Sequence, residues 1–247
     1  MSKSGSIRSG MSNPHNWTHK LRVLDRIGVA YGRRVLDYGC GAGATVRSLT
    51  EAGFDASGFD INDYVETPTN RIAIGNPSHL PYADGYFDMV FSDQVFEHAQ
   101  RQEQIFAELR RVTRPGGVHV HIIPAKWQLI EPHTYVPLGG LIVYRWWYRL
   151  WAALGIRNGF QVGLGAAEVA DLNWQYARDS LNYISTRRYR RIWRELDYRV
   201  RFVERVYMET SDKPSVRKMA PLVRIPGLRR LIQAFWVRIV ALERPLT

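Results

Sequence analysis

A glycine-rich turn between two carboxylates is the part of the sequence best suited to chemistry. Residues 35–43 read Val-Leu-Asp-Tyr-Gly-Cys-Gly-Ala-Gly, so an apolar run ends in Asp37 and three glycines follow. Glycine adopts positive φ and lets a ligand approach the main chain, and a helix N-terminus offers oriented N–H donors. Asp60 ends the next apolar run, where a carboxylate can bind both ribose hydroxyls of an adenosine-containing cofactor. The alternatives are an ordinary strand-to-helix turn at the glycines and, for Asp60, the role of N-cap to a helix formed by the residues after it.

The spacing of the glycines separates two classes of cofactor. A dinucleotide-binding turn usually has the pattern G-x-G-x-x-G, whereas Gly39, Gly41 and Gly43 give G-x-G-x-G. Asp37 lies two residues before the first glycine. Its charge would repel a pyrophosphate but attract the ammonium group of a methionine moiety. The pattern therefore favours S-adenosylmethionine over a nicotinamide dinucleotide.

At these residues the chain resembles the class I methyltransferases, and the resemblance extends over residues 33–124. Stretches 76–92, 95–98 and 109–117 match further motifs of that family in the same order. The resemblance implies S-adenosylmethionine as cofactor. It also implies an α/β fold, a Rossmann-like, mostly parallel seven-stranded sheet with helices on both faces and one antiparallel strand.

The resemblance also implies cofactor contacts at individual positions. Asp60 would bind the ribose, and Ile61 would pack on the adenine. The family often has aspartate where this chain has Asn76, and Pro77 removes a backbone N–H that commonly meets the ring. The residues expected to contact the cofactor are Asp37, Gly39, Gly41, Gly43, Asp60, Ile61, Asn76 and Ser92.

The elements that must position these residues alternate between short apolar runs and helical patterns, as in a parallel α/β sheet. Strands are predicted over 33–38, 54–59, 71–75, 86–92 and 117–123, with a helix over 102–112. The alternation stops after Pro124, and we interpret 125–185 as an insertion or lid on the acceptor side.

The C-terminal part has a less regular pattern. A helix is predicted over 186–196, a strand over 198–208, a short helix over 226–234 and a last strand over 236–243. A single amphipathic helix over 228–242 is the alternative for the last two elements.

Residues after the fourth and fifth strands are the candidates for catalysis. Methyl transfer from a sulfonium needs in-line alignment above all, and a hydroxyl acceptor gains from a positioned base. His133 is the predicted general base, with Glu131 holding its ring. Asp93 and His98 complete the candidate set, although packing accounts equally well for His98.

We predict no metal ion. Glu97 and His98 are similar to the metal-binding glutamate–histidine pair of some ubiquinone-pathway O-methyltransferases, but Gln94 stands where those proteins have a further glutamate. The chain also lacks the N/D-P-P-Y motif typical of base methylation. Its single cysteine, Cys40, belongs to the glycine turn and not to a nucleophile site. A hydroxyl acceptor is therefore favoured.

Charge and aromatic content bear on partners. The net charge is +11, and residues 187–247 hold 16 Arg or Lys against 6 Asp or Glu. This basic segment could meet nucleic acid or an anionic membrane. In 141–151, aromatic residues alternate with arginines, which suits a membrane interface, a lipid-bearing substrate or simple lid packing.

The remaining composition favours a cytoplasmic protein. One cysteine excludes an internal disulfide framework, and no apolar run reaches the roughly 18 residues of a membrane span. Residues 1–13 are rich in Ser and Gly, so we expect a flexible leader and not a signal peptide. Peripheral contact with the inner face of the membrane is compatible with this composition.

Three functions follow from the sequence. The first is O-methylation of a saccharide, lipid-linked or small-molecule acceptor. The second is RNA-directed methylation through the basic segment, although that segment has no recognisable RNA-binding module. The third is a catalytically silent, cofactor-binding partner subunit.

Overall fold

Seven strands form a single sheet in the part of the chain that the computed structural model describes, residues 16–64 and 71–246. The predicted leader, 1–13, lies outside the described residues. The strands are β1 (Arg34–Tyr38), β2 (Asp55–Asp60), β3 (Ile72–Ile74), β4 (Phe87–Asp93), β5 (Thr113–Pro124), β6 (Arg199–Phe202) and β7 (Val237–Glu243). Their order in the sheet is β3-β2-β1-β4-β5-β7-β6.

The sheet confirms the predicted fold class. Strand β7 runs antiparallel to both of its neighbours, β5 and β6, and the other pairings are parallel. The nine described α-helices are α1 (Asn16–Ile27), α2 (Ala44–Glu51), α3 (Gln102–Val112), α4 (Arg145–Ala153), α5 (Ala166–Ser180), α6 (Thr186–Glu195), α7 (Glu204–Glu209), α8 (Pro214–Met219) and α9 (Pro226–Phe235).

Alternating side chains of the central strands supply a core on each face of the sheet. In β1, Leu36 packs with Phe106 of α3 and Trp193 of α6. Its neighbour Val35 points to the other face and packs with Leu24 of α1 and with α2. This is the period-two alternation of a strand that is buried on both sides.

Two boundaries differ by several residues from the sequence prediction, whereas the others agree to within about one residue. Strand β5 begins at Thr113 and not at Gly117, because Thr113 already pairs with Phe87 of β4. The register of the pairing then shifts between Phe87 and Met89. The strand predicted over 198–208 ends at Phe202, and α7 follows. The apolar residues at 203, 206 and 207 pack in one cluster, and that spacing is helical.

The structure of residues 226–243 distinguishes between the two predictions made for the C-terminal part. Helix α9 stops at Phe235, and the next residues form β7 between β5 and β6. The short helix and last strand are therefore confirmed, and the single amphipathic helix over 228–242 is wrong.

The segment 125–185 has a small apolar cluster of its own. Helices α4 and α5 pack against each other around Tyr148, Ala152, Val169 and Ala177. Among the described residues, no helix combines the length and the apolar character needed to cross a bilayer.

Phe106 provides a test of the core. It is fully buried and stacks on Phe96 with ring centroids 4.3 Å apart. Phe106→Ala should lower the free energy of unfolding by about 3–5 kcal/mol, because it leaves a cavity. In chemical denaturation, Phe160→Ala serves as the control: Phe160 is 69% exposed, and its loss should change stability by less than about 0.5 kcal/mol. Equal effects of the two substitutions would contradict this assignment of the core.

Candidate active site

The glycine turn joins β1 to α2 and leaves one stretch of main chain open. Gly39 has φ +80°, and a Cβ there would lie 2.3 Å from a methyl carbon of Val95. Gly41 has φ +53°, yet an added Cβ would meet no atom within 4 Å. Gly43 forms the N-cap of α2. The turn is therefore tightly packed on one side and accessible to a ligand at Gly41.

Asp60 connects the end of β2 to that turn. Its carboxylate accepts hydrogen bonds from the backbone N–H of Gly41, at 2.9 Å, and of Asn62, at 3.1 Å. Residues 61–64 are not helical, so the helix N-cap alternative is wrong. A carboxylate has about four lone-pair sites, which leaves capacity for the hydroxyls of a ribose.

Asp37 is buried at the end of β1 among other charged groups. The pKa of its carboxyl is raised to about 6, mainly by burial and in part by the charges of Asp93 and Asp60. The Lys20 ammonium opposes this shift in pKa, as does a hydrogen bond with Thr45. Asp37 therefore loses its charge at mildly acidic pH.

Lys20 is a charged residue of this edge that was not among the predicted site residues. This lysine of α1 is buried, and its Nζ lies 3.8 Å from Oδ2 of Asp93. A signal was present, because Trp17, Lys20, Leu21 and Leu24 occupy one face of an amphipathic helix. A lysine within such an apolar stripe indicates a buried cation with a partner.

The three other predicted cofactor residues have different surroundings. Ile61 is exposed, so its side chain is available to a ring. The Oδ1 atom of Asn76 accepts a hydrogen bond from the backbone N–H of Ser78 at 2.9 Å. Ser92 is fully buried, with its Oγ 2.7 Å from Nδ1 of His121. The Ser92 hydroxyl is thus engaged inside the sheet, and the cofactor contacts of all three remain predictions.

Two catalytic candidates, His98 and His133, meet beside Glu97 beyond β4. Glu97 and His98 lie in the turn after that strand, and His133 approaches from the segment after β5. Oε1 of Glu97 is 3.8 Å from Nε2 of His98 and 4.0 Å from Nε2 of His133. The two imidazole rings have centroids 5.0 Å apart. We call these three residues the Glu–His cluster.

Burial dominates the electrostatics of the Glu–His cluster. The pKa of Glu97 is raised to about 8, mainly by burial and in part by the charges of Asp93 and Glu131, while the charge of Arg238 acts in the opposite direction. Burial also lowers the pKa values of His98 and His133 below the usual histidine value. Both imidazoles are therefore neutral near neutral pH and offer a lone pair.

The predicted role of Glu131 needs correction. Its Oε2 accepts hydrogen bonds from the backbone N–H groups of His133, at 3.0 Å, and Thr134, at 2.6 Å, and from the Thr134 hydroxyl. Its Oε1 accepts one from the Tyr183 hydroxyl. Glu131 therefore holds the main chain of His133, and the carboxylate beside the His133 ring is that of Glu97.

Asp93 links the two halves of the site. Its charge raises the pKa values of both Asp37, at the glycine turn, and Glu97, in the Glu–His cluster. The cofactor-binding edge and the candidate catalytic groups are therefore neighbours at the carboxyl ends of β1, β2, β4 and β5, where ligands bind in open α/β sheets.

Comparison with known proteins gives the same interpretation of this edge. Residues 36–121 match a family described as a methyltransferase domain. A sterol 24-C-methyltransferase of Schizosaccharomyces pombe is 34% identical over 113 residues, which are 40% of this chain and 30% of that protein. The 24-methylenesterol C-methyltransferase 2 of Oryza sativa subsp. japonica is 32% identical over 115 residues, 41% of this chain and 32% of that protein. The chain spans about a third of the length of these relatives.

A solved structure shows the same fold over nearly the whole chain. The S-adenosylmethionine-dependent methyltransferase of Mesorhizobium loti aligns with 94% of this chain and 99% of its own, with a TM-score of 0.56 and 15% identity. The matched region 36–121 contains the glycine turn, Asp37 and Asp60. This region is a class I methyltransferase domain. The predicted family and its cofactor, S-adenosylmethionine, are confirmed.

Asp37 predicts how cofactor affinity depends on pH. If its carboxylate pairs with the cofactor's ammonium group, protonation removes that attraction, so affinity should fall as the pH drops through about 6. Below the pKa each pH unit costs up to about tenfold in affinity. Calorimetric titration with S-adenosylhomocysteine between about pH 5 and pH 7 measures this effect. Asp37→Asn should bind weakly at every pH, and an equally steep pH dependence in that variant would contradict the assignment.

Proposed function

We propose that the chain is a methyltransferase that transfers the methyl group of S-adenosylmethionine to a hydroxyl on a saccharide, lipid-linked or small-molecule acceptor. The observation that carries this proposal is the Glu–His cluster, where a buried carboxyl group and two neutral imidazoles lie beside the cofactor-binding edge. Groups of this kind serve an acceptor whose proton must leave.

The reaction needs few contributions from the protein. The acceptor oxygen attacks the methyl carbon, the bond from that carbon to sulfur breaks, and the positive sulfonium becomes a neutral thioether. The hydroxyl proton is released as the new bond forms. Main chain at Gly41 and the carboxylates of Asp37 and Asp60 would hold the donor, while the Glu–His cluster would orient the hydroxyl and assist loss of its proton.

The segment 125–185 would cover the acceptor. It supplies His133 to the Glu–His cluster, together with Tyr176, whose ring centroid lies 5.5 Å from that of His133. Its surface carries exposed Trp127, Tyr144 and Trp146. Aromatic side chains beside cations such as Lys126 suit a lipid-linked acceptor presented at an anionic membrane, or a stacked sugar.

Carbon methylation is the second candidate function. The relatives of known activity are named for methylation of a sterol carbon. An alkene acceptor would form a carbocation after methyl transfer. Glu97 or a neighbouring imidazole would then take a proton from the carbon next to the cationic centre, and a double bond would form again. The match covers only the cofactor domain, whereas the acceptor side here contains polar catalytic candidates, which favours a hydroxyl.

The basic C-terminal segment gives limited support to an RNA substrate. Several of its arginines are engaged within the protein, which reduces the charge available for phosphate contacts. Those in ion pairs are Arg188, Arg191, Arg201, Arg205, Arg224 and Arg229, and three more donate to carbonyl oxygens, namely Arg217, Arg238 and Arg244.

Removal of the Asp60 carboxylate tests the cofactor site. Asp60→Ala should weaken S-adenosylmethionine and S-adenosylhomocysteine by about tenfold to a hundredfold, because charge-assisted hydrogen bonds to the ribose are lost. Asp55→Ala is the matched control, since Asp55 is an exposed aspartate at the other end of the same strand. Calorimetry should show unchanged affinity for that control. Comparable losses in both variants would reject the assignment of Asp60.

A methyl-transfer screen tests the acceptor. Glycans, lipids, phenols, isoprenoids and RNA are incubated with isotopically labelled S-adenosylmethionine, and nuclear magnetic resonance then locates the methyl group. We expect a methyl ether or ester. A new carbon–carbon bond would favour the second candidate, labelled RNA would favour the nucleic-acid alternative, and cofactor binding without any transfer would favour the silent subunit.

A further inference from the structure

The Glu–His cluster contains buried polar atoms without a hydrogen-bond partner among the described residues. These atoms are Oε1 and Oε2 of Glu97 and Nε2 of His133. Glu97 has no exposed surface. A buried carboxylate without hydrogen bonds is unfavourable, and protonating it does not solve the problem, because the new hydroxyl would itself need an acceptor. A bound group that satisfies all three atoms at once removes the cost.

Neighbouring contacts fix the orientation of the two imidazoles. Nδ1 of His98 lies 2.9 Å from the Ser180 carbonyl oxygen, which can only accept, so Nδ1 carries the proton and Nε2 keeps its lone pair. This arrangement, in which the other ring nitrogen donates to a carbonyl, is typical of metal-binding histidines. The main chain of His133 is held by two side chains: its N–H donates to the Glu131 carboxylate, and its carbonyl oxygen accepts a hydrogen bond from the Asn158 amide.

The donor atoms converge on one point. One nitrogen or oxygen from each of the three side chains lies within 4.8 Å of the others. Ligands at about 2.0–2.2 Å from an ion are separated from one another by roughly 2.8–3.6 Å, the shorter values for octahedral and the longer for tetrahedral geometry. Side-chain shifts of the order of 1 Å or less would therefore bring them into coordination.

The nearby charges are compatible with a cation. Arg238 is the described cation whose charge lowers the pKa of Glu97, and it would repel a metal ion placed beside that carboxylate. Its guanidinium, however, donates to the carbonyl oxygens of Ile184 and Pro124, and Glu97 has no hydrogen bond from it. The Asp93 and Glu131 carboxylates also act electrostatically on Glu97, which favours a positive ion at the Glu–His cluster.

From these contacts we propose that Glu97, His98 and His133 bind one divalent transition-metal ion. Two imidazoles and one carboxylate suit Zn²⁺, Co²⁺, Fe²⁺ or Mn²⁺, whereas Mg²⁺ and Ca²⁺ prefer oxygen ligands only. The histidine side chains are partly exposed, so the remaining coordination positions face outward, where an acceptor binds. The sequence predicted no metal because Gln94 replaces the further glutamate beside the Glu97–His98 pair. The structure places His133, which is distant in the chain, next to that pair.

The role of the ion in catalysis rests on the proposed function. An acceptor hydroxyl bound to the ion would lose its proton more readily. The same Nε2 lone pair of His133 cannot serve both as ligand and as base, so His133 then acts as a ligand. Binding of the ion does not depend on the identity of the acceptor and is tested separately.

Co²⁺ is the probe, because its visible absorption spectrum reports the ligands around it. The untagged full chain is freed of metal with a chelator and titrated with Co²⁺, and equilibrium dialysis gives the stoichiometry. We expect one Co²⁺ per chain, with displacement by Zn²⁺ and none by Mg²⁺ at similar concentrations. Failure to bind Co²⁺, or preferential binding of Mg²⁺, overturns the proposal.

Variants locate the ion. Glu97→Gln and His133→Gln should each lower Co²⁺ affinity by about a hundredfold or more. His98→Gln should do the same and disturbs folding least, because His98 is the most exposed of the three. His79→Gln, an exposed histidine outside the cluster, is the control and should bind Co²⁺ like the wild type. Retained S-adenosylhomocysteine affinity shows that a variant is folded. Wild-type Co²⁺ affinity in folded His98→Gln overturns the proposal.

The experiment separates this proposal from the proposed function. Co²⁺ binding at the Glu–His cluster without methylation of any hydroxyl acceptor would leave the metal site intact and reject O-methylation. Methylation by protein that binds no Co²⁺ would reject the metal site and support a direct acid–base role for the same residues.

Discussion

Carboxylates gathered at one edge of a parallel sheet impose the constraint on which the remaining structure of the site depends. The acids at this edge are Asp37, Asp60, Asp93, Glu97 and Glu131. Their charges interact. The charge of Asp93 raises the pKa values of both Asp37 and Glu97, and the charge of Glu131 raises the pKa of Glu97. The carboxyl ends of parallel strands meet at the same edge of the sheet, so the acids at or after these ends are held close to one another. The protein has to balance this repulsion with hydrogen-bond donors, cations or a bound ligand.

Each half of the site is balanced by a different means. At the cofactor half, Asp60 is satisfied by backbone N–H groups and Asp37 faces the ammonium group of Lys20. Glu131 is likewise satisfied by main-chain donors. Glu97 is the exception, since it has neither a hydrogen-bond donor among the described residues nor a direct ion pair with Arg238. An unbalanced acid at such a place is a common property of functional sites.

The parts of the fold that local chemistry determines were predictable from the sequence. The glycine turn, the helix over 102–112 and the strands that flank the turn follow from residue patterns within a few positions, and the structure has them. The boundary between β6 and α7 was not predictable in this way, because apolar residues at 203, 206 and 207 fit the end of a strand as well as the start of a helix.

Long-range contacts account for most of what the sequence did not reveal about the site. Lys20 precedes the sheet and Arg238 follows nearly all of it, yet both are buried beside the carboxylates. Composition alone assigns such residues to a basic surface. The path of the chain after β5 likewise determines which donors bind Glu131. It also places Glu97 as the acid next to the His133 ring.

The separate apolar cluster of the segment 125–185 has an evolutionary consequence. Since α4 and α5 bury their apolar faces mainly against each other, residues of these two helices can be exchanged without repacking the strands that hold the nucleoside. A lineage can thus acquire new chemical targets by replacing one peripheral module while the donor-binding half stays as it is. Such modularity explains physically how a single scaffold can come to modify unrelated molecules.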